Sequence, residues 1–307
     1  MDFYKILNEN ECHHKLQYKF GLNIDRQKFN PSGDCTPGGI YFSREDIFTF
    51  LDWGPWIRKV TLPEDAQIYE NPGKPKKWKA DKVILGKKEK INLKVIKRLI
   101  DEGADPTADD NYLLNWAALN GRTDVVKLII SIPNFKLNNY DALERAAAKN
   151  HINIVKLLIP LFESKLINSY ALSFAAKNGH IKIVKLLLPL SNPKTNMSSA
   201  LRNAAYNGHT EIVKLLIPVS DPKASDSEAL RKAAMNNHNE VVKLLIPVSD
   251  CTIYNSMALR WAAKNENIEL INLLLPVSEI NDIVIQFCTG YYIKPSIIKL
   301  ITNYSKI

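Results

Sequence analysis

The sequence predicts a mainly α chain, a helical solenoid of short, 29-residue repeats preceded by a small α+β domain. Three observations predict it. An Ala-Ala pair falls at 117/118, 146/147, 175/176, 204/205, 233/234 and 262/263, a period of 29 without slippage, and such a period marks a repeat array. Each of the six pairs is followed, after a turn, by an apolar run, and the last five of those runs end in proline. Each unit therefore reads as two short antiparallel helices. Residues 1–90 lack the repeat and carry β-branched and aromatic runs bounded by Gly, Pro, Asn or Asp, which is strand chemistry.

The composition narrows the class. Apolar residues make up 46% and charged residues 24% of the 307, a mixture that fits a folded protein and neither disorder nor a membrane protein. No apolar run approaches the roughly 20 residues of a bilayer span, and Met1-Asp-Phe-Tyr-Lys lacks the shape of a signal peptide. No membrane association or secretion is expected. The net charge of +9 divides into about +3 on 1–90 and +6 on the remainder, interleaved with acids. A nucleic-acid footprint would instead gather basic residues on one stripe, so nucleic acid is not the expected partner. Cys12, Cys35, Cys251 and Cys288 are too few and too scattered for a disulfide framework, which points to a reducing, intracellular compartment.

Taken in order, the chain opens with Phe3-Tyr-Lys-Ile-Leu7 and a polar stretch, after which 16–24 alternates loosely between apolar and polar residues. Strands are expected at 39–43, 56–62, 66–69 and 80–85. Between the first two, 43–51 starts with serine followed by acids, and Ile47, Phe50 and Leu51 share one face, which predicts a helix capped by Ser43. So small a domain needs its aromatics, among them Trp53, Trp56 and Trp78, for a core. Asn71-Pro-Gly-Lys-Pro-Lys-Lys-Trp78 and Gly86-Lys-Lys-Glu-Lys90 read as basic loops whose lysines are solvated.

Cys12, His13, His14 and Cys35 have the chemistry of zinc ligands. Adjacent ligands rarely serve one tetrahedral ion and no Cys-x-x-Cys accompanies them, so no metal is expected. Gly38-Gly-Ile-Tyr-Phe-Ser43 is similar to the Gly-Ile-Tyr-Phe strand of ADP-ribosyltransferases, where a His and a Tyr hold the nicotinamide ribose and ring. That resemblance implies His13 or His14 and Tyr41 as the counterparts. The family's His-Gly pair is absent and no glutamate takes the transfer role, and 40–42 reads equally as an interior strand. No catalytic residue and no cofactor are assigned.

From about 91 the solenoid begins with an entry half-repeat to about 107, followed by six repeats over about 108–278 and a C-terminal cap over about 279–307. In the first helix of a unit, Leu230, Ala233 and Ala234 lie at i, i+3 and i+4 and face one way, and alanine lets neighbouring helices approach. In the second, Val241, Val242, Leu244, Leu245 and Ile246 leave Lys243 as the polar position, so this helix is packed nearly all round. Pro160, Pro189, Pro218, Pro247 and Pro276 stop it after about eight residues, because the residue before proline resists helical ψ. The turn between the helices needs a left-handed residue. Gly121, Gly179 and Gly208 supply it at no steric cost, Asn150 and Asn237 are next best, and Glu266 is the least comfortable. Histidines 151, 180, 209 and 238 follow that turn in fixed register and are expected to support it by hydrogen bonds.

The pattern Leu172, Ala175, Ala176, Gly179, His180, Ile183, Val184, Lys185, Leu186, Leu187 recurs at Leu201, Ala204, Ala205, Gly208, His209, Ile212, Val213, Lys214, Leu215, Leu216. It resembles the ankyrin repeat over about two thirds of the chain, which implies an ankyrin-type solenoid that holds a protein partner. The family's Thr-Pro-Leu-His start is replaced by sequences such as Glu228-Ala-Leu-Arg, and the period is 29 where the family's is 33. The projecting β-hairpin should therefore be shortened or absent, and binding should move toward the first helices.

In ankyrin proteins the variable surface includes the two residues after Ala-Ala and those leading into the first helix. Carried onto this sequence, the resemblance implies partner binding by Tyr140, Lys149, Lys177, Asn178, Tyr206, Asn207, Met235, Asn236 and Lys264. The lysines favour an acidic protein partner, whereas Trp116, Phe174 and Trp261 are expected to fill the groove between units. Lys127, Lys156, Lys185, Lys214 and Lys243 form a solvated outer row. The whole arrangement resembles the ankyrin-repeat proteins of giant, mimivirus-like DNA viruses. The expected function is a non-catalytic interaction scaffold in the host cytoplasm. The alternatives are a repeat-targeted, ADP-ribosyltransferase-like enzyme and a nucleic-acid-associated basic protein.

Overall fold

The computed structural model describes residues 2–31, 36–133, 135–137, 140–162 and 169–304; Cys35 lies outside the described residues. The chain forms two compact units, Met1–Ala142 and Leu143–Ile307.

Among the described residues the first unit begins with ten strands: β1 (Phe3–Leu7), β2 (Cys12–His13), β3 (Leu16–Gln17), β4 (Gly21–Ile24), β5 (Ile40–Phe42), β6 (Trp56–Thr61), β7 (Ile68–Asn71), β8 (Lys77–Ala80), β9 (Lys82–Leu85) and β10 (Glu89–Lys90). One sheet runs β1-β6-β9-β4 with β10 on β6, a second runs β5-β8-β7, and β2 and β3 form a hairpin. All pairs are antiparallel; Phe3 faces Val60 and Leu7 faces Trp56. The stretch 80–85, expected as one strand, breaks at Asp81 into β8 and β9, which belong to different sheets. Asp81 sits at the switch, its N–H donating to Gln67 O and its carbonyl accepting from Asp25 N–H.

Leu7, Tyr18, Ile40, Phe42, Val60, Ala80, Val83 and Leu85 form the core, with Phe3, Trp56 and Trp78 packed on it. Trp53 stays 47% exposed. The expected α-helix at 43–51 is instead a 3₁₀ helix, Ile47–Trp53, which buries Ile47, Phe48 and Leu51. Ser43 does not cap it. Its hydroxyl donates to Lys76 O, and its backbone is bridged to Tyr4, so the serine that reads as an N-cap is spent joining two layers. The basic loop expected at 71–78 is likewise part strand, with Lys77 buried in β8.

The unit continues with α1 (Leu93–Asp101), α2 (Ala108–Leu119) and α3 (Thr123–Ile130). Asn92 caps α1 by accepting from Val95 N–H. The strands are joined to these helices by Tyr4 Oη donating to Glu102 Oε2 at 2.7 Å, Asp105 N–H to Glu45 O and Tyr112 Oη to Asp52.

The second unit takes in most of α4 (Asp141–Ala148), then α5 (Ile152–Leu158), α6 (Ser169–Lys177), α7 (Ile181–Leu187), α8 (Thr195–Tyr206), α9 (Thr210–Leu216), α10 (Ala224–Met235), α11 (Asn239–Leu245), α12 (Ile253–Lys264), α13 (Ile268–Leu274), α14 (Asp282–Gly290) and α15 (Pro295–Tyr304). The Ala-Ala pairs and the preceding leucines are buried throughout. Among the described residues no strand follows Lys90, so the connections between units carry no β-hairpin there. The inter-helix turns are left-handed at Gly121, Asn150, Gly179, Gly208, Asn237 and Glu266 alike.

Proline acts differently from the expectation. The α-helices α5, α7, α9, α11 and α13 last seven residues and run into a 3₁₀ turn with proline at its second position. The residue before proline is helical each time, Ile217 having φ −49° and ψ −50°. The clash that disfavours this conformation is a bias. It yields where proline's fixed φ and missing N–H suit the first turn of a helix.

The entries to α2, α8, α10 and α12 were not legible in the sequence. In α8, α10 and α12 three successive non-glycine residues are left-handed: Asn196, Met197 and Ser198; Ser225, Asp226 and Ser227; Tyr254, Asn255 and Ser256. Asp109, Asp110 and Asn111 repeat the device in α2. Left-handed backbone costs about 1–2 kcal/mol per L-residue, and two sets of bonds offset it. Ser227 N–H donates to Lys223 O, and Arg231 donates from Nε to Asp226 O at 3.0 Å and from Nη2 to Ser225 O at 2.9 Å. Arg202 and Arg260 do the same one repeat away on either side.

Candidate functional site

The face formed by α4, α6, α8, α10 and α12 is set by the buried Ala-Ala pairs, whose small side chains bring the helices close and leave their neighbours in sequence at the surface. Of the nine residues implied for partner binding, Tyr140 falls in the first unit and is half-buried, and the other eight lie in the second. Lys149, Lys177, Asn178, Tyr206 and Lys264 are exposed, and Asn207, Met235 and Asn236 are half-buried.

The backbone beneath these side chains is pinned by the next repeat. His180 Nε2 bonds Ala148 O at 3.0 Å, His209 Nε2 bonds Lys177 O at 3.0 Å, and His238 Nε2 bonds Tyr206 O at 2.9 Å. In the last repeat Asn265 Nδ2 donates to Met235 O at 2.8 Å. The rings of these histidines, expected to support their own turn, instead bond the end of the first helix in the preceding repeat. Glycine makes room for them, since a Cβ on Gly208 would stand 2.5 Å from His238 Nδ1. A second ladder runs through the left-handed turns: Ser198 Oγ accepts from Asp221 N–H and Ser227 Oγ from Asp250 N–H, both at 2.8 Å.

The asparagines of the implied set have a structural task. Asn178, Asn207 and Asn236 donate from Nδ2 to the carbonyl four residues back, on Phe174, Asn203 and Lys232, and so satisfy last-turn carbonyls of their helices. What remains for recognition is cationic and aromatic. Phe174 is 38% and Tyr206 41% exposed, and Trp116 and Trp261 are half-buried. The groove-filling role expected for Phe174 is therefore not what its side chain does: it stands at the surface beside Ala175. Lys232 Nζ sits 5.3 Å from the Tyr206 ring, and Lys264 Nζ lies 4.8 Å from Trp261 and 4.4 Å from Tyr291. Such pairs hold the ammonium groups over aromatic faces. Sequence reasoning missed the Arg202, Arg231, Arg260 and Ser198, Ser227, Ser256 ladders, although their spacing of 29 was visible.

In the first unit His13 and Tyr41 line one pocket. His13 is held well below the ordinary imidazole value, at about 4, first by burial and then by the charges of Lys5 and His14. Among the described residues no cluster of three or more His, Cys, Asp or Glu could hold a metal ion. Among them, too, no helix is long and apolar enough to cross a membrane.

The family model for ankyrin repeats (three copies) matches residues 87–169, 161–226 and 201–285. Ankyrin repeat protein R868 of Acanthamoeba polyphaga mimivirus is 35% identical over 136 residues, 42% of this chain and 66% of the relative. Uncharacterized protein R869 of the same virus is 38% identical over 129 residues, 40% of this chain and 94% of the relative. Ankyrin repeat protein R229, also from that virus, is 38% identical over 125 residues and is spanned over 40% of its length. The crystal structure of the human ASB11 ankyrin repeat domain superposes with a TM-score of 0.51 at 20% identity, covering 62% of this chain and 96% of that domain.

Proposed function

Since the chain belongs to the ankyrin-repeat family, we propose that it is a non-catalytic scaffold that binds a host or viral protein in the infected cell's cytoplasm. The functional division falls at about residue 90, with the repeats as the binding part. The observation that carries the reading is the row of exposed cationic and aromatic side chains, Lys149, Phe174, Lys177, Tyr206 and Lys264, on a face where the carbonyls of Ala148, Lys177 and Tyr206 are tied down by the next repeat. Pre-organised backbone lowers the ordering cost of association, and aromatic anchors carry much of an interface's energy. Cations on this face favour a partner segment rich in carboxylates. Where, among the described residues, the repeats carry no hairpin, the first helices are left as the contact surface.

The test is quantitative crosslinking capture from infected host cells with three forms of the full chain. A triple variant, Tyr206→Ala with Met235→Ala and Lys264→Glu, should lose the specifically captured protein. Lys185→Glu on the outer row should keep it. Equal recovery by all three forms means that the face is wrongly assigned. Retention on DNA with a steep salt dependence would favour nucleic acid instead.

A further inference from the structure

Strand β4 ends the sheet β1-β6-β9-β4, and among the described residues no strand pairs with its other side. It runs antiparallel to β9, with Leu22 facing Ile84 and Asn23 facing Val83. Asp25 N–H donates to Asp81 O at 2.9 Å in the same register, so the hydrogen-bonded pairs with β9 are those of Gly21 and Asn23. The N–H and C=O groups of Leu22 and Ile24 therefore point away from β9, toward the open edge. Their side chains stand on the outer face, Leu22 48% and Ile24 50% exposed, with Ile84 at 40% on β9 and Phe20 at 67% just before the strand. Asn23, pointing to the other face, is buried. We propose that β4 takes up an extended segment of another protein as an added strand, one that is apolar at alternate positions and carries carboxylates at its ends.

Open edges are usually blunted by a charge, a proline or a bulge. Gly21-Leu-Asn-Ile24 has no charge and no proline, and it pairs with β9 without a break. The edge of the other sheet, β7, differs in carrying Glu70 at an exposed position. The backbone of β4 is also fixed in advance. Asn23 Oδ1 accepts from Lys19 N–H at 2.9 Å, and its Nδ2 donates to Lys19 O and Gly21 O at 2.8 Å each. An edge that is already ordered lowers the cost of adding a strand. In such pairing the main-chain bonds supply affinity and the alternate side chains supply selectivity. Leu22 and Ile24 would meet apolar side chains directly across the new pair. Charge and size point to the occupant. Lys19, Arg26 and Lys28 are exposed and form no ion pair among the described residues. Set against Asp25, they leave residues 19–28 with a net charge of +2. The Asp25 carboxylate is engaged locally, accepting from the N–H groups of Gln27 and Gly39. Carboxylates at the ends of a partner strand would therefore meet unpaired cations. A second copy of this chain would bring both sets of cations to one edge. Four residues also span only about 13 Å, a short contact beside the roughly 800 Å² per partner of a stable dimer.

The experiment titrates the full chain, methyl-labelled at isoleucine and leucine, with a synthetic peptide, Asp-Glu-Val-Thr-Ile-Thr-Val-Asp-Glu, and follows the methyl NMR signals. Those of Leu22, Ile24 and Ile84 should shift together, with Kd of about 0.1–1 mM. The same peptide methylated on its five central amide nitrogens should not bind, because it has lost the donors of an added strand. A peptide with lysines in place of its four acids should bind about tenfold more weakly at low salt, with a smaller difference at high salt. Ile24→Lys, at an exposed position, should stay folded and abolish binding by putting a charge on the edge. Three results would overturn the proposal: no shift at about 5 mM peptide, equal affinity for the methylated or the lysine-bearing peptide, or unchanged affinity in a folded Ile24→Lys. Sedimentation equilibrium supplies the remaining arm. A dimer of the wild-type chain that is lost in Ile24→Lys would give the edge to a second copy instead.

Discussion

Replacing Arg231 by methionine should open the left-handed turn at the start of α10 while leaving the rest of the stack folded. The side chain clamps that turn with Nε to Asp226 O at 3.0 Å and Nη2 to Ser225 O at 2.9 Å, and it lies 5.0 Å from the Tyr254 ring. Three left-handed residues, Ser225, Asp226 and Ser227, cost about 3–6 kcal/mol together at about 1–2 each. A hydrogen bond from a charged donor contributes about 1.5–3 kcal/mol. Both of these are partly exposed, so about half of that applies to each, or about 2 kcal/mol in all. Methionine keeps the stem's packing and removes the clamp. The assay is native-state amide exchange of Ser227, bonded to Lys223 O, and of Asp250, bonded to Ser227 Oγ. Loss of about 2 kcal/mol should lower their protection roughly 30-fold, with amides of α6 and α7 unchanged. Adding Ser225→Gly, which removes the cost of one left-handed residue, should restore part of the protection. A fall below about threefold at both amides, or an equal fall throughout the repeats, would refute the clamp.

Gly208→Ala places a Cβ 2.5 Å from His238 Nδ1 at a backbone φ of 73°; it should cost about 2 kcal/mol or more from strain and the displaced histidine bond, read as a lower urea midpoint. Glu266→Asn puts a residue that tolerates left-handed backbone at φ 55° and gives up a surface ion pair with Lys294; the net should be a gain of about 0.5 kcal/mol, seen as a higher unfolding midpoint. His13 has its folded value lowered to about 4, so the unfolded chain binds the extra proton between that pH and the ordinary value near 6.5. The stability from keeping His13 neutral is present above pH 6.5 and is lost as pH falls to about 4; His13→Gln should flatten that part of the stability profile measured by urea unfolding. In binding, Lys264→Glu should speed dissociation of the captured partner more at low salt than at high salt.

The 29-residue register of Ala117/Ala118 to Ala262/Ala263 was enough to place six helix pairs, because a small residue at i+3 and i+4 on an amphipathic helix has one use in a close-packed stack. The turn residues were legible for the same kind of reason. Gly179, Asn237 and even Glu266 adopt the φ > 0 that their position between two helices demands. The strand-rich part was read less well. A run such as 80–85 has no period that reveals a break at Asp81, and a serine ahead of acids looks like a cap until Ser43 is seen bonded to Lys76 O.

For the candidate binding face, the sequence determined which positions vary between repeats and that they carry lysines and aromatics. Only the tertiary structure decided which of them are available. Asn178, Asn207 and Asn236 tie their amides to their own helices, whereas Phe174 and Tyr206 stand exposed. The left-handed entry turns and the burial of Lys77 and Lys79 were likewise settled only by tertiary structure. The physical reason is common to all of them. Helix and turn preferences act between neighbours in sequence and can be read along it, but a hydrogen bond to a residue 23 or 30 positions away, as in the Asp250–Ser227 and Asn236–Tyr206 pairs, forms only once the repeats are stacked.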